Sequence, residues 1–100
     1  MIAKLHRSYE GRVILAVCDS GLIGKCFSED ELQLDLSSNF YKGEEMSDKR
    51  ILNFFKVVNI VNLVGEKAVG LGIKAGIVDR KQVIKIKGIP HAQALIVRED

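Results

Sequence analysis

Apolar and polar residues alternate along the first fifth of the chain in a way that predicts a hairpin. Ile2 to Ser8 and Arg12 to Cys18 are strand-like, and Tyr9-Glu10-Gly11 between them suits a short connection. The second run, RVILAVC, is apolar almost throughout, which predicts a central place in a sheet. DSGLIGK, punctuated by Gly21 and Gly24, predicts a loop. Leu32, Leu34 and Leu36 then alternate with Gln33 and Asp35, a third strand with one wet face. Ser28 and Glu31 imitate a capping box, but the period-two pattern that follows limits any helix there to one turn. SSNFYKGE predicts a second loop, with Phe40 and Tyr41 tucked beneath it.

From Ser47 the period changes. Ser47 is placed to cap a helix, and Asp48 suits its positive end. Ile51, Phe54, Phe55, Val58 and Val61 form a stripe at helical spacing, while Leu52, Val57 and Ile60 make the same stretch apolar on other sides. A helix over 48–64 of this kind is either centrally buried or covered by a partner, so it is the candidate homo-oligomer interface. Gly65 breaks it, and a second helix is predicted from Glu66 to Ala75, with Gly76 at the C′ position. Gly70 and Gly72 weaken that helix by about 1 kcal/mol each relative to alanine. VIKIK (Val83 to Lys87) and HAQALIV (His91 to Val97) are the closing strands, separated by Gly88-Ile89-Pro90. The order is β-β-β-α-α-β-β: a single α+β domain over 1–100, a mainly antiparallel sheet with two helices packed on one face.

Composition supports that picture without adding much chemistry. One hundred residues, 47% of them hydrophobic and one of them proline, describe a folded chain able to bury a core. Cys18 and Cys26 form neither a disulfide framework nor a zinc spacing, which suits a reducing cytoplasmic setting. No signal-like core opens the sequence, and its longest apolar tract is interrupted by Asn53, Lys56, Asn59 and Asn62, so a soluble protein away from membranes is expected. The net charge is only +2, but it is unevenly spread. Between Ser28 and Asp48 seven acids face one base; between Lys67 and Arg98 seven bases face one acid. The plainer outcome is two solvated surfaces that face each other within the fold. The sharper one is a basic surface for phosphate-bearing partners, with Arg80, Lys81, Lys85 and Lys87 as the contacts.

Several motifs fail on inspection. GLIGKCFS has two residues between its glycines where a phosphate-binding P-loop needs four, and Cys26 stands in place of the magnesium-binding hydroxyl. GLGIKAG follows a helix instead of a strand, unlike a dinucleotide turn, and its glycines more simply permit close packing. The spacings of Cys18, Cys26, His6 and His91 match no metal pattern, so neither metal nor cofactor is expected. What remains is a polar set inside apolar sequence: Asn62 and Glu66 in NLVGE, His91 and Gln93 in PHAQ, with Asp19 and Lys25 flanking the first loop. Buried without partners, such groups cost a few kcal/mol each. Asp19 and Lys25 either pair with each other or face a ligand. On a helix running through Gly65, Asn59, Asn62 and Glu66 share a face; their structural alternative is to brace a helix junction. His91 and Gln93 lie on one side of a strand, with Ala92 and Ala94 on the other, where a helix can approach. His91 is suited to carry a proton near neutral pH, while the plainer reading is a structural histidine hydrogen-bonded near the Pro90 turn.

YEGRVILAVCD, GLIGKCF, FYKGE, NLVGEKAV and VIKIKGIPHAQ together resemble the archaeal family catalogued as domain of unknown function 424, over Tyr9 to Val97. NLVGE and PHAQ, in this order and spacing, are the specific parts. Ser20-Gly21 departs from the family pattern, in which acidic residues are commoner at that loop. The resemblance implies a small cytosolic archaeal protein in the company of translation components, and it supplies no catalytic residues. Three readings follow. The first is a binding module for RNA or the translation apparatus, using the basic carboxy-terminal surface. The second is a small-molecule site or enzyme with His91 and Glu66 as the acid–base pair beside Asp19 and Gln93. The third is an assembly role for the apolar helix 48–64.

Overall fold

The apolar run that ends at Cys18 becomes the strand beside which the sheet is built. In the computed structural model, which describes residues 1–97, β1 (Ile2–Arg7) and β2 (Val13–Cys18) form the expected antiparallel hairpin. Two further strands, β3 (Cys26–Glu29) and β4 (Leu32–Asp35), pair only with each other, and β5 (Glu44–Glu45) joins the outer edge of β1. Helix α1 (Asp48–Phe55), β6 (Ile60–Val64), α2 (Glu66–Lys74), β7 (Ile84–Ile86) and β8 (Ile89–Leu95) complete the order. The main sheet runs β5-β1-β2-β6-β8-β7, antiparallel except where β6 lies parallel to β2.

Each face of this sheet buries a different partner. Leu15, Val17, Val61, Leu63, Ala92 and Ala94 point toward α1 and α2, where Ile51, Phe55, Ala68, Val69 and Leu71 meet them. Ala16, Cys18 and Val64 point the other way, against Leu34, Leu36 and Tyr41 of the β3–β4 hairpin and the loop after it. Both helices therefore share one face, as the pattern predicted. Ala92 and Ala94 give α2 room to approach, and so does Gly72. A Cβ at Gly72 would lie 2.5 Å from a Leu63 methyl and 3.1 Å from Val78.

The helix over 48–64 is the main correction. Ser47 caps α1 as expected, its hydroxyl accepting from the Arg50 N–H at 3.2 Å, and Ile51 and Phe55 form the buried stripe. The helix stops at Phe55, because the chain then exchanges local bonds for ladder bonds. Asn59 takes the Val13 N–H on its side-chain oxygen at 2.8 Å, donates its own N–H to the Val13 carbonyl at 2.8 Å, and accepts from Ile96 at 2.8 Å. These bonds seat residues 60–64 between β2 and β8, with Val61, Leu63 and Val64 fully buried. A strand covered on both faces is apolar on both, which is why it imitated a helix. The single helix over 48–64, the candidate homo-oligomer interface, is therefore a short helix and a strand, and most of its apolar side chains, Ile51, Phe55, Val58, Val61, Leu63 and Val64 among them, are buried in the core, while Val57 is exposed.

Smaller differences follow from pairing. β3 follows the loop read over 19–25 and takes up Ser28, where the sequence imitated a capping box, and β4 ends at Asp35. The closing strands are Ile84–Ile86 and Ile89–Leu95, with the tight turn at Lys87-Gly88, so Ile89 and Pro90 belong to a strand and not to the connection. Among the described residues, no helix is long and apolar enough to cross a membrane.

Candidate functional site

β2 and β6 run side by side in one direction, and the chain leaves their carboxyl ends toward opposite faces of the sheet. From Cys18 it turns toward the hairpin; from Val64 it turns into α2. Divergence of this kind opens a crevice beyond the strand ends, the place where open α/β sheets bind ligands. Here it is a cleft of about 500 Å³ lined by residues 19–22, 65–67 and 88–90, with Met1 at its side.

Asp19 organises this cleft. Its carboxylate accepts from the backbone N–H groups of Lys67 at 3.0 Å and Ala68 at 2.8 Å. Those are first-turn donors that no carbonyl within the helix can satisfy, and the negative charge sits at the positive end of the helix dipole. The Asp19 N–H donates in turn to the Val64 carbonyl at 3.0 Å. Gly65 is the residue that permits the approach: its φ is +105°, and a Cβ there would land on the Asp19 carboxylate. Its N–H donates to the Pro90 carbonyl at 2.9 Å, which ties the cleft to β8. At the rim, Glu45 accepts from the Met1 amino group at 2.8 Å and from the Ser20 hydroxyl at 2.9 Å. The ammonium hydrogen bond first, and Ser20 second, hold the Glu45 carboxyl below its ordinary range.

Two shallower grooves flank the exposed ridge of α2. One, about 350 Å³, lies between α2 and β7, with Arg80 and Lys85 above Val69, Ile73 and Val83. The other, about 510 Å³, opens toward Asp48 and carries Lys67 and Lys74. Glu66 and Gly70 belong to both. Among the described residues the ion pairs are Met1–Glu45, Arg12–Glu10 and Arg50–Glu44. None uses Lys67, Lys74, Arg80, Lys81, Lys85 or Lys87. The acidic and basic stretches meet only in part: Asp48 shares the second groove with Lys67 and Lys74, the Lys67 charge acts on Glu45, and their one hydrogen bond among the described residues runs from the Lys87 N–H to Glu29 at 2.9 Å.

Five of the six polar candidates separate into two sets, and Lys25 joins neither. Asp19 and Glu66 share the cleft. Asn62, His91 and Gln93 lie on the hairpin-side face, with Asn62 directly opposite Gln93 and His91 opposite Val64. Asn59, Asn62 and Glu66 accordingly share no helix face. Lys25 does not pair with Asp19; it is exposed, and its backbone bonds to Leu22 and Leu36. Of the four phosphate-contact candidates, Arg80 and Lys85 meet in the β7-side groove, while Lys81 and Lys87 line neither groove. Lys67, Lys74 and Gly70 are the additions that sequence reasoning passed over, although two lysines bracketing a glycine at helical spacing were there to be noticed. Cys18 is sealed under the hairpin, where burial first and the Asp19 charge second push its thiol up to about 12. Among the described residues, no three His, Cys, Asp or Glu side chains are grouped to hold a metal ion.

A family model described as "Protein of unknown function (DUF424)" matches residues 6–97. Among solved structures, the chain is similar to an uncharacterized conserved protein from Methanopyrus kandleri, with a TM-score of 0.79 and 25% sequence identity. That match covers 99% of this chain and 93% of the other. No curated protein matches the chain.

Two outcomes test this geometry. Asp19→Ala should lower stability by about 1–2 kcal/mol, the worth of an N-cap. It should also speed hydrogen exchange at the Lys67 and Ala68 amides above others in α2; unchanged protection there would remove Asp19 as the cap. Burial lowers the pKa of His91 from its ordinary 6.5, and its Nε2 is buried without a partner among the described residues. The folded state thus keeps the imidazole neutral while the unfolded chain takes the proton first. Stability should therefore fall as pH drops below about 6.5, down to the folded pKa. An NMR titration of the His91 ring should give a midpoint under 6.5, and a midpoint at or above it would contradict the burial.

Proposed function

The chain belongs to the DUF424 family of proteins of unknown function, and from the geometry of its α2 side we propose that it is an RNA-binding module. The observation that supports this most is the set of cations that form no salt bridge among the described residues: Lys67 and Lys74 on one flank of α2, Arg80 and Lys85 on the other. A phosphate meeting these groups displaces no internal ion pair, and it releases counterions from the nucleic acid. Exposed Lys81 and Lys87 extend the charge beyond the grooves. The chain has only six aromatic residues, and Tyr9, fully exposed, lies on the β1–β2 loop away from α2. Contacts to phosphate and sugar therefore fit better than stacking on bases. A place beside translation components, which the family resemblance implies, is compatible with such a surface and rests on that resemblance.

Filter binding of total RNA between 50 and 200 mM salt tests the proposal. Affinity should fall steeply with salt. Replacing Lys74, Arg80 and Lys85 together by glutamine should shallow the log–log slope by roughly two to three units, at about 0.7–0.9 per lost phosphate contact. Binding that is absent, or indifferent to salt, overturns the reading.

The cleft at the ends of β2 and β6 supports a second reading, a small-molecule site. Its volume falls within the usual range for ligand pockets, roughly 300–1,000 Å³. Glu66 and Lys67 stand at its wall without ion pairs among the described residues. His91 lies on the opposite face of the sheet, so nothing supports an acid–base pair with Glu66. In an NMR fragment screen, amide shifts gathered at Ser20, Gly65 and Gly88 would favour this site, whereas scattered or absent shifts would count against it.

A further inference from the structure

A glycine inside a helix weakens it and calls for a physical reason. Helix α2 contains two. Gly72 has its reason in the core, where a side chain would press on Leu63 and Val78. Gly70 has none within the fold. It is exposed, a Cβ there would meet nothing within 4 Å, and its φ is not in the left-handed region. Packing and backbone geometry would both accept alanine.

What surrounds Gly70 is charge. Lys67 and Lys74 lie three positions before it and four after it, on the same exposed row of the helix. Arg80 and Lys85 lie across the groove on its β7 side. The two grooves meet at this residue, so Gly70 is the low point of a ridge with cations on both flanks. The acids nearby are Glu66, one turn earlier on α2, Asp48 at the far groove, and Glu45, on which the Lys67 charge acts.

We propose that Gly70 is where an RNA sugar–phosphate backbone crosses α2, the missing side chain letting a phosphate descend between the flanking cations. The inference rests on the RNA-binding reading and deepens it by placing the strand. Attraction between phosphate and ammonium falls with separation, and a direct charge-assisted hydrogen bond needs about 2.7–2.9 Å between heavy atoms. A methyl group at the crossing would lift the strand and leave water between the charges. Glu66 repels phosphate and sets the amino-terminal limit of the track, so the path lies toward Lys74 and Arg80.

Gly70→Ala separates this from any structural role. The substitution should raise the melting temperature by roughly 3–6 °C, since it removes a helix penalty and adds no clash. At moderate salt it should weaken binding of total RNA by about tenfold and shallow the salt slope by about one unit. A lower melting temperature would give Gly70 a structural purpose and overturn the inference. Wild-type binding matched by undiminished binding of the variant would also overturn it, while leaving the RNA-binding reading in place. Failure of the wild-type protein to bind RNA would remove that reading itself, and the crossing point with it.

Discussion

A carboxylate at the end of one central strand holds the first amides of the helix that follows its neighbour. This contact between Asp19 and the start of α2 fixes where that helix begins against the sheet. Its energy is modest, about 0.5–2 kcal/mol for a cap of this kind. Burial of Ala68, Val69 and Leu71 against the sheet contributes more to holding α2 down. What the cap contributes is position. A helix of nine residues is too short to stand alone in water, and side-chain packing tolerates small slides along its axis. Two hydrogen bonds to a fixed carboxylate do not. They fix where α2 begins, and so where its exposed row stands relative to Arg80 and Lys85. Gly65 is the condition for the contact, because any side chain there would occupy the space of the carboxylate.

Much of the fold could be read along the chain, and the misreading has a single physical cause. The β1–β2 hairpin, the cap at Ser47, the extent of α2 and the two-sided pattern of β8 all express local rules, either a period or a terminal residue. Residues 51–64 defeat such rules. Phe54, Phe55, Val58 and Val61 keep a helical spacing, yet β6 is apolar because it lies between two layers and not because one helical face is buried. The deciding residue is Asn59, whose bonds to Val13 and Ile96 are long-range and cannot be seen from its neighbours. β3 escaped notice for the opposite reason. Cys26, Ser28 and Glu29 are exposed, and only Phe27 packs inward, so the strand carries almost no apolar signal.

The site was legible as a list of residues but not as a geometry. NLVGE and PHAQ do meet, through the bond from Gly65 to Pro90. Their polar side chains nonetheless part company, because strand alternation sends Asn62, His91 and Gln93 to one face while the chain after Val64 turns to the other. Asp19 stood out as polar at a strand end, but its role depends on amides 48 residues further on. Gly70 and Gly72 looked equivalent in sequence. Only the neighbour across the gap, a Leu63 methyl in one case and open space in the other, distinguishes them.

The separation of charge follows from the same layering. Four of the seven acids in the middle of the chain, Glu29, Asp30, Glu31 and Asp35, sit on the β3–β4 hairpin. Lys67, Lys74, Arg80 and Lys85 sit around α2, on the far side of the sheet. Packed layers lie roughly 10 Å apart, so hairpin and helix, with the sheet between them, are separated by about twice that. At physiological ionic strength the Debye length is about 8 Å. Those four acids scarcely screen the bases, and although Glu45, Asp48 and Glu66 stand closer, a net charge of only +2 hides a surface with more cations than its nearby acids offset. Lys87 marks the exception, placed at the turn where the hairpin reaches the sheet and Glu29 takes its amide. Charges left unneutralised inside a chain that has enough acids to neutralise them are a consequence of topology, and that topology turns them toward the α2 side.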